Sequence, residues 1–456
     1  MNSRTLKTLA LGSSLAVLLS LSTVDTAGAQ NKPLPGAPVA VSMKEAVSVA
    51  IRTNPQYGIV ANNRRATDQE LEQAKALYRP SVDLSGDTGW TYNDNDNNLG
   101  ANDDESLWRY NAGLTLTQML YDGFSARAEN DRQAARVLSA SHRVKEASEL
   151  IGLATIEAYL DVLRQREILK ISYDNVKGHT DILARIQDSA TVGRSTDADL
   201  IQARARLDSA RAESAAVREA LRAAEARYTE QVGSMPQALI MPKVPVEAVD
   251  VNVEAAVKKA LTQSPTLDIF EADMQVSEAE YDGAKASLHP TLDFQLNGQE
   301  GENISGVEGS DTSASALVLM NWNLYRGGAD TARIREHMHR IGESKERRAL
   351  QGRAVESDVR QTWARMISSQ ERAKEFSDQA TANVGVLAAY KDQFDLNRRS
   401  LLDVLDAQNE LFVSRSNAVN SEFLQILAMY RLIALKGELV PTLGVDYPRE
   451  ANPATL

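Results

Sequence analysis

Apolar and polar residues alternate along four stretches of the chain, and a period of two is typical of β-strands with one polar face. The first two stretches flank an acidic, Asn-rich loop at 93–106. Their apolar positions are Val82, Leu84, Trp90, Tyr92, Trp108, Tyr110, Ala112, Leu114 and Leu116. The alternation predicts two strands joined as a hairpin.

The third and fourth stretches flank a loop rich in Gly and Glu, and they predict a second hairpin. The alternation of the fourth stretch, at 314–324, is less regular because Leu317 and Leu319 interrupt it. The pattern therefore predicts four strands, two at about 81–121 and two at about 291–325.

Two shorter helices are predicted before each hairpin. Ser42 is followed three residues later by Glu45, which is the sequence of a capping box at a helix start. Pro55 ends that helix, as Pro265 ends its counterpart, because the residue before a proline is biased away from the helical region. The second helix is expected to end at about Tyr78.

Helical periodicity also follows each hairpin, where no proline interrupts it. It begins after turns at Gly123 and at Gly327-Gly328 and runs to about Lys177 and about Leu396. Roughly fifty helical residues would span about 75 Å, far more than the usual helix.

A returning helix is predicted after each long helix, beyond tips at about 178–198 and about 385–403. Its apolar or small residues recur at spacings of three and four, which is typical of a coiled-coil face. These residues are Leu200, Ala203, Leu207, Ala210, Ser214, Val217, Leu221, Ala224 and Tyr228 in the first returning helix, and Leu405, Phe412, Val419, Phe423, Ile426, Tyr430 and Ile433 in the second.

These elements belong to one unit of about 205 residues that occurs twice. The segment at 194–207 reappears at 398–411, a displacement of 204 residues, whereas AKALYRP and AKASLHP before the hairpins are 210 residues apart. The six-residue difference must lie between Pro80 and Leu120, where we predict a loop insertion.

The first residues have the order of a secretory signal: positive charge, an apolar run at 9–21, and Ala-Gly-Ala at 27–29. We expect the mature protein to begin at Gln30. No later stretch approaches eighteen uninterrupted apolar residues, so the sequence predicts no transmembrane helix. The predicted boundaries are 1–29 for the signal peptide, 30–245 and 246–440 for the two repeats, and 441–456 for a C-terminal tail.

Composition narrows the function classes. Of 456 residues 43% are apolar but only 5% aromatic, which favours long helices with thin seams. Cysteine is absent, so neither disulfides nor a lipidated N-terminal Cys are expected. The net charge of −12 is dispersed, which disfavours nucleic-acid binding. His337 and His339 would point apart on a helix and make a poor metal pair, and we expect no cofactor and no enzyme activity.

The four strands indicate the environment, because four strands cannot close a barrel and unpaired edges are not tolerated in hydrocarbon. Three copies would supply twelve strands, with Trp90, Tyr92, Trp108 and Tyr110 at the membrane interfaces. This predicts a homotrimer with a 12-stranded transmembrane β-barrel in the outer membrane. The alternative is a soluble helical bundle with an ordinary half-buried sheet.

The order of elements over residues 42–440 resembles that of the TolC family of outer-membrane channel proteins. The most specific match is the tip pattern V-G-x-x-x-x-x-D-[VL]-x-x-A, which runs here from Val192 through Asp199 to Ala203. The LYDG and LYRG turns match as well. The resemblance implies a mainly α fold with a small β part, in which the trimeric barrel is continued by a long helical coiled-coil tunnel in the periplasm. It also implies two partners, a periplasmic adaptor and an inner-membrane transporter.

The resemblance further assigns residues at the tip. Asp403 and Asp406, three apart on one helix face, would ring the pore constriction. Arg399 would link neighbouring helices in the closed state, with Asp199 beside it. The charge pattern alone favours solvated carboxylates in a first helical turn, where the helix dipole favours negative charge.

Tip closure and adaptor contact would involve Gly193 and Asp199 in the first tip and Asn397, Arg398 and Arg399 in the second. Asn397 occupies the position at which the first tip keeps Gly193. Phe394, in turn, stands where relatives often have a Tyr that bonds an acidic residue.

The run RRSLLDVLDA at 398–407 resembles family members that serve type I protein secretion, including adhesin export. We therefore expect a passive conduit for protein export from an inner-membrane transporter to the exterior. The alternatives are a channel for efflux of drugs, other small molecules or metals, and, from another class, a soluble periplasmic coiled-coil adaptor.

Overall fold

The computed structural model describes residues 40–94, 104–304, 308–396 and 398–453. The predicted signal peptide at 1–29 and Asn397 lie outside the described residues. Most of the described chain is helical. The helices are α1 Met43–Thr53, α2 Pro55–Ala76, α3 Ser125–Thr191, α4 Asp197–Val232, α5 Val253–Gln263, α6 Pro265–Ala286, α7 Ala329–Asp395, α8 Leu401–Leu435 and α9 Leu439–Thr442.

The strands form one antiparallel sheet in the order β1-β2-β3-β4. Ser81 lies opposite Thr117 in the first hairpin, and Thr291 lies opposite Asn321 in the second. The strands are β1 Ser81–Asp94, β2 Asp104–Tyr121, β3 Thr291–Glu302 and β4 Ser310–Asn321. The prediction of four strands in two hairpins is confirmed.

Local sequence explains where the short helices start. The Ser42 hydroxyl accepts a hydrogen bond from the Glu45 N–H at 3.3 Å, and the Glu45 carboxylate accepts one from the Ser42 N–H at 2.9 Å. This reciprocal capping box was predicted and is confirmed. Asn54 caps α2 by accepting from the Gln56 N–H at 2.9 Å, and Pro55 occupies the first helical position.

The two repeats match element by element. Helices α1 and α5 have 11 residues each, α2 and α6 have 22 each, and α3 and α7 have 67 each. Counterparts are displaced by 210 residues before the hairpin loop and by 204 after it. The six-residue difference lies between Tyr92 and Ser106, because these two residues correspond to the closing pair Glu302 and Ser310 of the second hairpin.

Helix α3 is longer than predicted, and the predicted end at about Lys177 is wrong. The helix continues to Thr191, which reduces the first tip to residues 192–196. Gly178 lies inside this helix and permits a close approach, since a Cβ placed there would lie 2.5 Å from the Gln408 side chain. A helix of 67 residues spans about 100 Å.

The segment 439–447 packs onto α3 through one buried carboxylate. Glu149 is 3% exposed and accepts hydrogen bonds from the backbone N–H groups of Leu439, at 2.9 Å, and Val440, at 3.1 Å. The Tyr447 hydroxyl donates to the same carboxylate. Burial raises the pKa of Glu149 despite these bonds.

Candidate channel tip and membrane-facing sheet

The first tip turns on a glycine. Gly193 has φ +71°, a left-handed conformation that favours glycine, and the Arg194 N–H reaches back to the Ser189 carbonyl at 2.8 Å. Helix α4 then starts at a capping box in which the Asp199 carboxylate accepts from the Thr196 N–H at 2.9 Å. Asp199 thus has a local structural role in helix initiation.

Asp403 has the same place in the second tip. Its carboxylate accepts from the Ser400 hydroxyl at 2.9 Å, and its N–H donates to the Ser400 hydroxyl at 3.3 Å. Arg399 lies 3.7 Å from the Asp403 carboxylate and stacks 3.9 Å from the centroid of the Tyr390 ring. Arg399 and Asp199, which the resemblance suggested as neighbours, each have these other partners within the single chain.

Asp406 lies one turn further along α8 and reaches towards the first hairpin of helices. Its carboxylate pairs with the Arg206 guanidinium of α4 at 2.9 Å. Both side chains are about half exposed. Sequence analysis missed Arg206, because an ion pair between residues 200 positions apart depends on how two helices are rotated against each other.

A second link between the two tips involves Asp395 at the end of α7. Arg185 of α3 pairs with its carboxylate at 2.8 Å, and Arg194 donates to its backbone carbonyl at 3.2 Å. Neither contact was predicted. The two helical hairpins of one chain are therefore held together at the tip by cations from the first and acids from the second.

Buried polar side chains lie behind this tip. Asn175 and Gln408 form a hydrogen bond of 3.2 Å between α3 and α8. His179 is 3% exposed, and desolvation, followed by the positive charges of Arg206 and Lys391, lowers its pKa to about 4. The imidazole is therefore neutral at physiological pH.

The remaining tip residues divide between surface and core. Arg398 is exposed, and its N–H donates to the Gln393 carbonyl at 2.8 Å. Phe394 packs on the cluster that contains Ile186 and Leu405, which suits a side chain without a hydroxyl. Asn397 is outside the described residues.

In the sheet, the four predicted interface aromatics lie together at the loop end of the first hairpin. Trp90 lies directly opposite Trp108, with ring centroids 5.6 Å apart and ring planes at 88°. Tyr92 lies two residues from Trp90 and Tyr110 two residues from Trp108 on the same face, and all four side chains are exposed.

The helix end of the sheet carries another group of aromatic residues. Tyr121 and Phe124 make an edge-to-face contact at 5.6 Å, and Trp322 and Tyr325 are exposed where β4 leads into α7. Sequence analysis missed this group because its members lie in or near the LYDG and LYRG turns, outside the alternating stretches.

The two faces of the sheet differ in polarity. Asp87 pairs with Arg109 at 2.7 Å on the polar face. The irregular residues of β4 lie on this face too, since Leu317 is opposite Gln295 and Leu319 is opposite Asp293. In the described part of the chain, no helix combines the length and apolarity that crossing a membrane requires.

Comparison with known proteins identifies the protein class. The sequence profile of the family described as outer membrane efflux protein matches residues 46–234 and 256–438. The chain belongs to the outer membrane efflux protein family. The resemblance to TolC proteins is thereby confirmed.

Individual relatives cover nearly the whole chain. BepC of Brucella suis biovar 1, an outer membrane efflux protein, is 26% identical over 431 residues, which are 93% of this chain and 89% of BepC. AprF of Pseudomonas aeruginosa, an alkaline protease secretion protein, is 20% identical over 412 residues, which are 88% of this chain and 85% of AprF. A crystal structure of CusC covers 91% of this chain and 95% of its own, with TM-score 0.75 and 16% identity, and shares the fold.

Members of this outer membrane efflux protein family are passive outer-membrane channels, not enzymes. They serve tripartite export and type I secretion systems together with a periplasmic adaptor and an inner-membrane transporter. The predicted location in the outer membrane, extending into the periplasm, is confirmed. The alternative of a soluble adaptor is wrong.

Proposed function

We propose that this efflux-family protein is a homotrimer whose twelve strands close one transmembrane barrel above a helical periplasmic tunnel. The support is the sheet itself, in which β1 and β4 are edge strands and every described residue of β4 is exposed. A lipid-facing sheet with two free edges would leave backbone groups unpaired in hydrocarbon. Closure with further copies removes both edges.

The aromatic groups at the two ends of the sheet support the same placement. Trp90, Tyr92, Trp108 and Tyr110 would mark the outer membrane interface, and Trp322 with its neighbours would mark the interface next to the helices. Between them lie exposed aliphatic residues such as Leu84, which suit contact with lipid chains.

At the tip, Asp403 and Asp406 would form the pore constriction. Gly193, Asp199 and Asn397 would shape the two turns, and Arg398 and Arg399 would take part in closure and adaptor contact. The support is that Asp403 and Asp406 lie in the first two turns of α8, with both carboxylates partly exposed. Their cationic partners, Arg399 and Arg206, reduce the negative charge available to a passing ion.

We further propose that the exported substrate is a protein of the adhesin type. The observation that carries this choice is the run RRSLLDVLDA at 398–407, which ends the second tip and begins α8. Secretion relatives such as AprF match over most of the chain, and the lack of a lipidation Cys fits these members better than the lipoprotein efflux channels. Efflux of small molecules is the second candidate, because relatives named for solvent and toluene efflux match as well.

Gene deletion and complementation test this choice. Deleting the gene should remove large secreted proteins from the culture medium, and the wild-type gene should restore them, while minimal inhibitory concentrations of drugs and metals stay unchanged. A deletion strain that secretes normally but becomes sensitive to drugs, solvents or metals would establish the efflux alternative. Native mass spectrometry of the detergent-purified protein, with a trimer expected, tests the assembly separately.

A further inference from the structure

The repeats make each hairpin a geometric copy of the other. Residues of β1 correspond to residues of β3 at a displacement of 210, and residues of β2 correspond to those of β4 at 204. The pair Ser81 opposite Thr117 therefore corresponds to Thr291 opposite Asn321, and both pairs are present. Each residue of β3 and β4 thus has a defined counterpart in β1 or β2.

The junction between the repeats is also known, because it lies within one chain. Strand β2 ends the first hairpin and pairs with β3, which starts the second, so that Leu114 lies opposite Gly298. The free edges are β4, which ends the second hairpin, and β1, which starts the first. The next copy can continue the sheet by repeating the same junction.

We propose that β4 of one copy pairs with β1 of the next in the register of the β2–β3 junction, which places Val318 opposite Thr88 of the next copy. The same register places Leu319 opposite Asp87 and Ala316 opposite Trp90. This inference rests on the proposed trimer and adds which residues meet within it. Val318 lies opposite Phe294 and Thr88 opposite Tyr110, so both belong to the apolar face, as direct pairing requires.

The helices give the same neighbour relation independently. Helix α6 packs between α3 and α7, and its Ile269 is 3% exposed. Of α3 and α7, helix α2 packs only on α3. Ile59 of α2, the counterpart of Ile269, is 70% exposed. Because the same position is buried in one repeat and exposed in the other, the contrast indicates a missing neighbour. By the repeat, that neighbour is α7 of the adjacent copy.

Polar contacts agree with this placement. Asp273 of α6 accepts from the Ser139 hydroxyl at 2.6 Å and from the Arg143 guanidinium at 3.0 Å. The counterparts of Asp273 and Arg143 are Asn63 and Arg347, an acceptor and a donor that are both exposed in the single chain. Arg347 of one copy would therefore donate to the Asn63 side chain of the next.

The arrangement is head-to-tail, and such an interface closes into a ring when the rotation allows. A two-fold alternative, with β4 pairing to β4 of a partner, would leave β1 unpaired and Ile59 exposed. The ring covers both edges and Ile59 together, which is why we favour it.

Disulfide trapping tests the register, and the chain contains no cysteine that would interfere. Directly opposed residues have Cα atoms about 4.5–5.5 Å apart, within reach of a disulfide. The test variant is Thr88→Cys with Val318→Cys in the full-length protein in outer membranes. Mild oxidation should convert it to a covalent trimer on denaturing gels, while either single variant stays a monomer.

Two control variants test whether cross-linking depends on the chain and on the register. Leu114→Cys with Gly298→Cys should form a disulfide at the β2–β3 junction within one chain, with no increase in mass on the gel. A side chain fits at Gly298, because a Cβ there meets nothing within 4 Å. Thr88→Cys with Ala314→Cys keeps the same face but shifts the register by four residues, and should not cross-link.

Asn63→Cys with Glu343→Cys, the counterparts of the contacting Asp273 and Ser139, should also trap the trimer through the helices.

The outcomes separate the two proposals. If native mass spectrometry shows a trimer that restores secretion but Thr88→Cys with Val318→Cys gives no covalent product, or if the shifted pair cross-links instead, the proposed register is wrong while the trimer stands. If the wild-type protein is not a trimer, the proposed assembly fails and the register fails with it.

Discussion

The guanidinium of Arg206 lies 2.9 Å from the carboxylate of Asp406, so this acidic tip residue already has a cationic partner in its own chain. Both side chains are about half exposed, and a solvent-exposed pair of this kind contributes only about 0–1 kcal/mol to stability. Its main consequence is electrostatic. Arg206 offsets negative charge at the point where α8 enters the channel tip.

Replacing Arg206 with Gln should make the channel more selective for cations. The change leaves Asp406 uncompensated in every copy, and uncompensated carboxylates in a narrow opening attract cations. The measurement is the reversal potential in planar bilayers under a salt gradient. Arg204→Gln, which removes an exposed positive charge two residues away, is the matched control and should have a smaller effect. Equal shifts for both variants would show that the ion pair has no special role.

Replacing Gly178 with Ala should destabilise the tip by about 1–3 kcal/mol. The new Cβ would lie 2.5 Å from Gln408, which is 6% exposed and cannot move without weakening its hydrogen bond to Asn175. The expected observation is a lower thermal unfolding midpoint and faster proteolysis near the tip. Gly385→Ala is the control, because nothing lies within 4 Å of its Cβ and alanine favours the helix. A Gly178→Ala protein as stable as that control would contradict the packing role.

His179 should make the stability of the tip depend on pH. Its pKa in the folded chain is about 4, below the ordinary value of 6.5, so the unfolded chain binds the extra proton between these values. The stabilisation from the neutral imidazole is therefore complete above about pH 6.5 and is lost as pH falls towards 4. His179→Gln should reduce the pH dependence of the thermal unfolding midpoint across this range. A slope in His179→Gln equal to that of the wild type would refute the assignment.

The order of charge, apolar run and Ala-Gly-Ala at residues 27–29 predicts that export leaves Gln30 as the first residue. Intact-mass measurement of the protein from the envelope should give the mass of residues 30–456, allowing for cyclisation of the new N-terminal glutamine. Retention of Met1 in that material would disprove the predicted cleavage.

The elements of the fold could be predicted because each repeats a local pattern over many residues. The period of two gave the four strands, and Ser42 and Glu45 gave the start of α1. The role of Gly178 could not be predicted, because a glycine in a helical pattern is compatible with either a helix end or a close approach, and only the position of Gln408 distinguishes the two.

The tip contacts could not be predicted because they join distant parts of the chain. Arg185 and Asp395 are 210 residues apart, and nothing in either local pattern indicates which helix faces meet. The aromatic residues show an intermediate case. Their types indicated an interface, but only the pairing of Trp90 with Trp108 shows that the predicted four lie at one end of the sheet.

The acidic ring is the assignment that most directly concerns transport. In a trimer with the family geometry, three copies each of Asp403 and Asp406 would surround one axis, and like charges there would repel one another and attract cations. Replacing both with Asn should weaken cation selectivity and block by multivalent cations. Asn keeps the side-chain oxygen that accepts from Ser400 in the wild type, so the start of α8 should survive the change.

The matched control removes two other carboxylates of α8, with Glu410→Gln and Glu422→Gln, which are both exposed. Its net charge equals that of the Asp403→Asn, Asp406→Asn variant, so a difference between the two reports position rather than total charge. Wild-type selectivity and block in the Asp variant would mean that the carboxylates act locally. Asp403 would then be a capping residue bonded to Ser400, and Asp406 only the partner of Arg206.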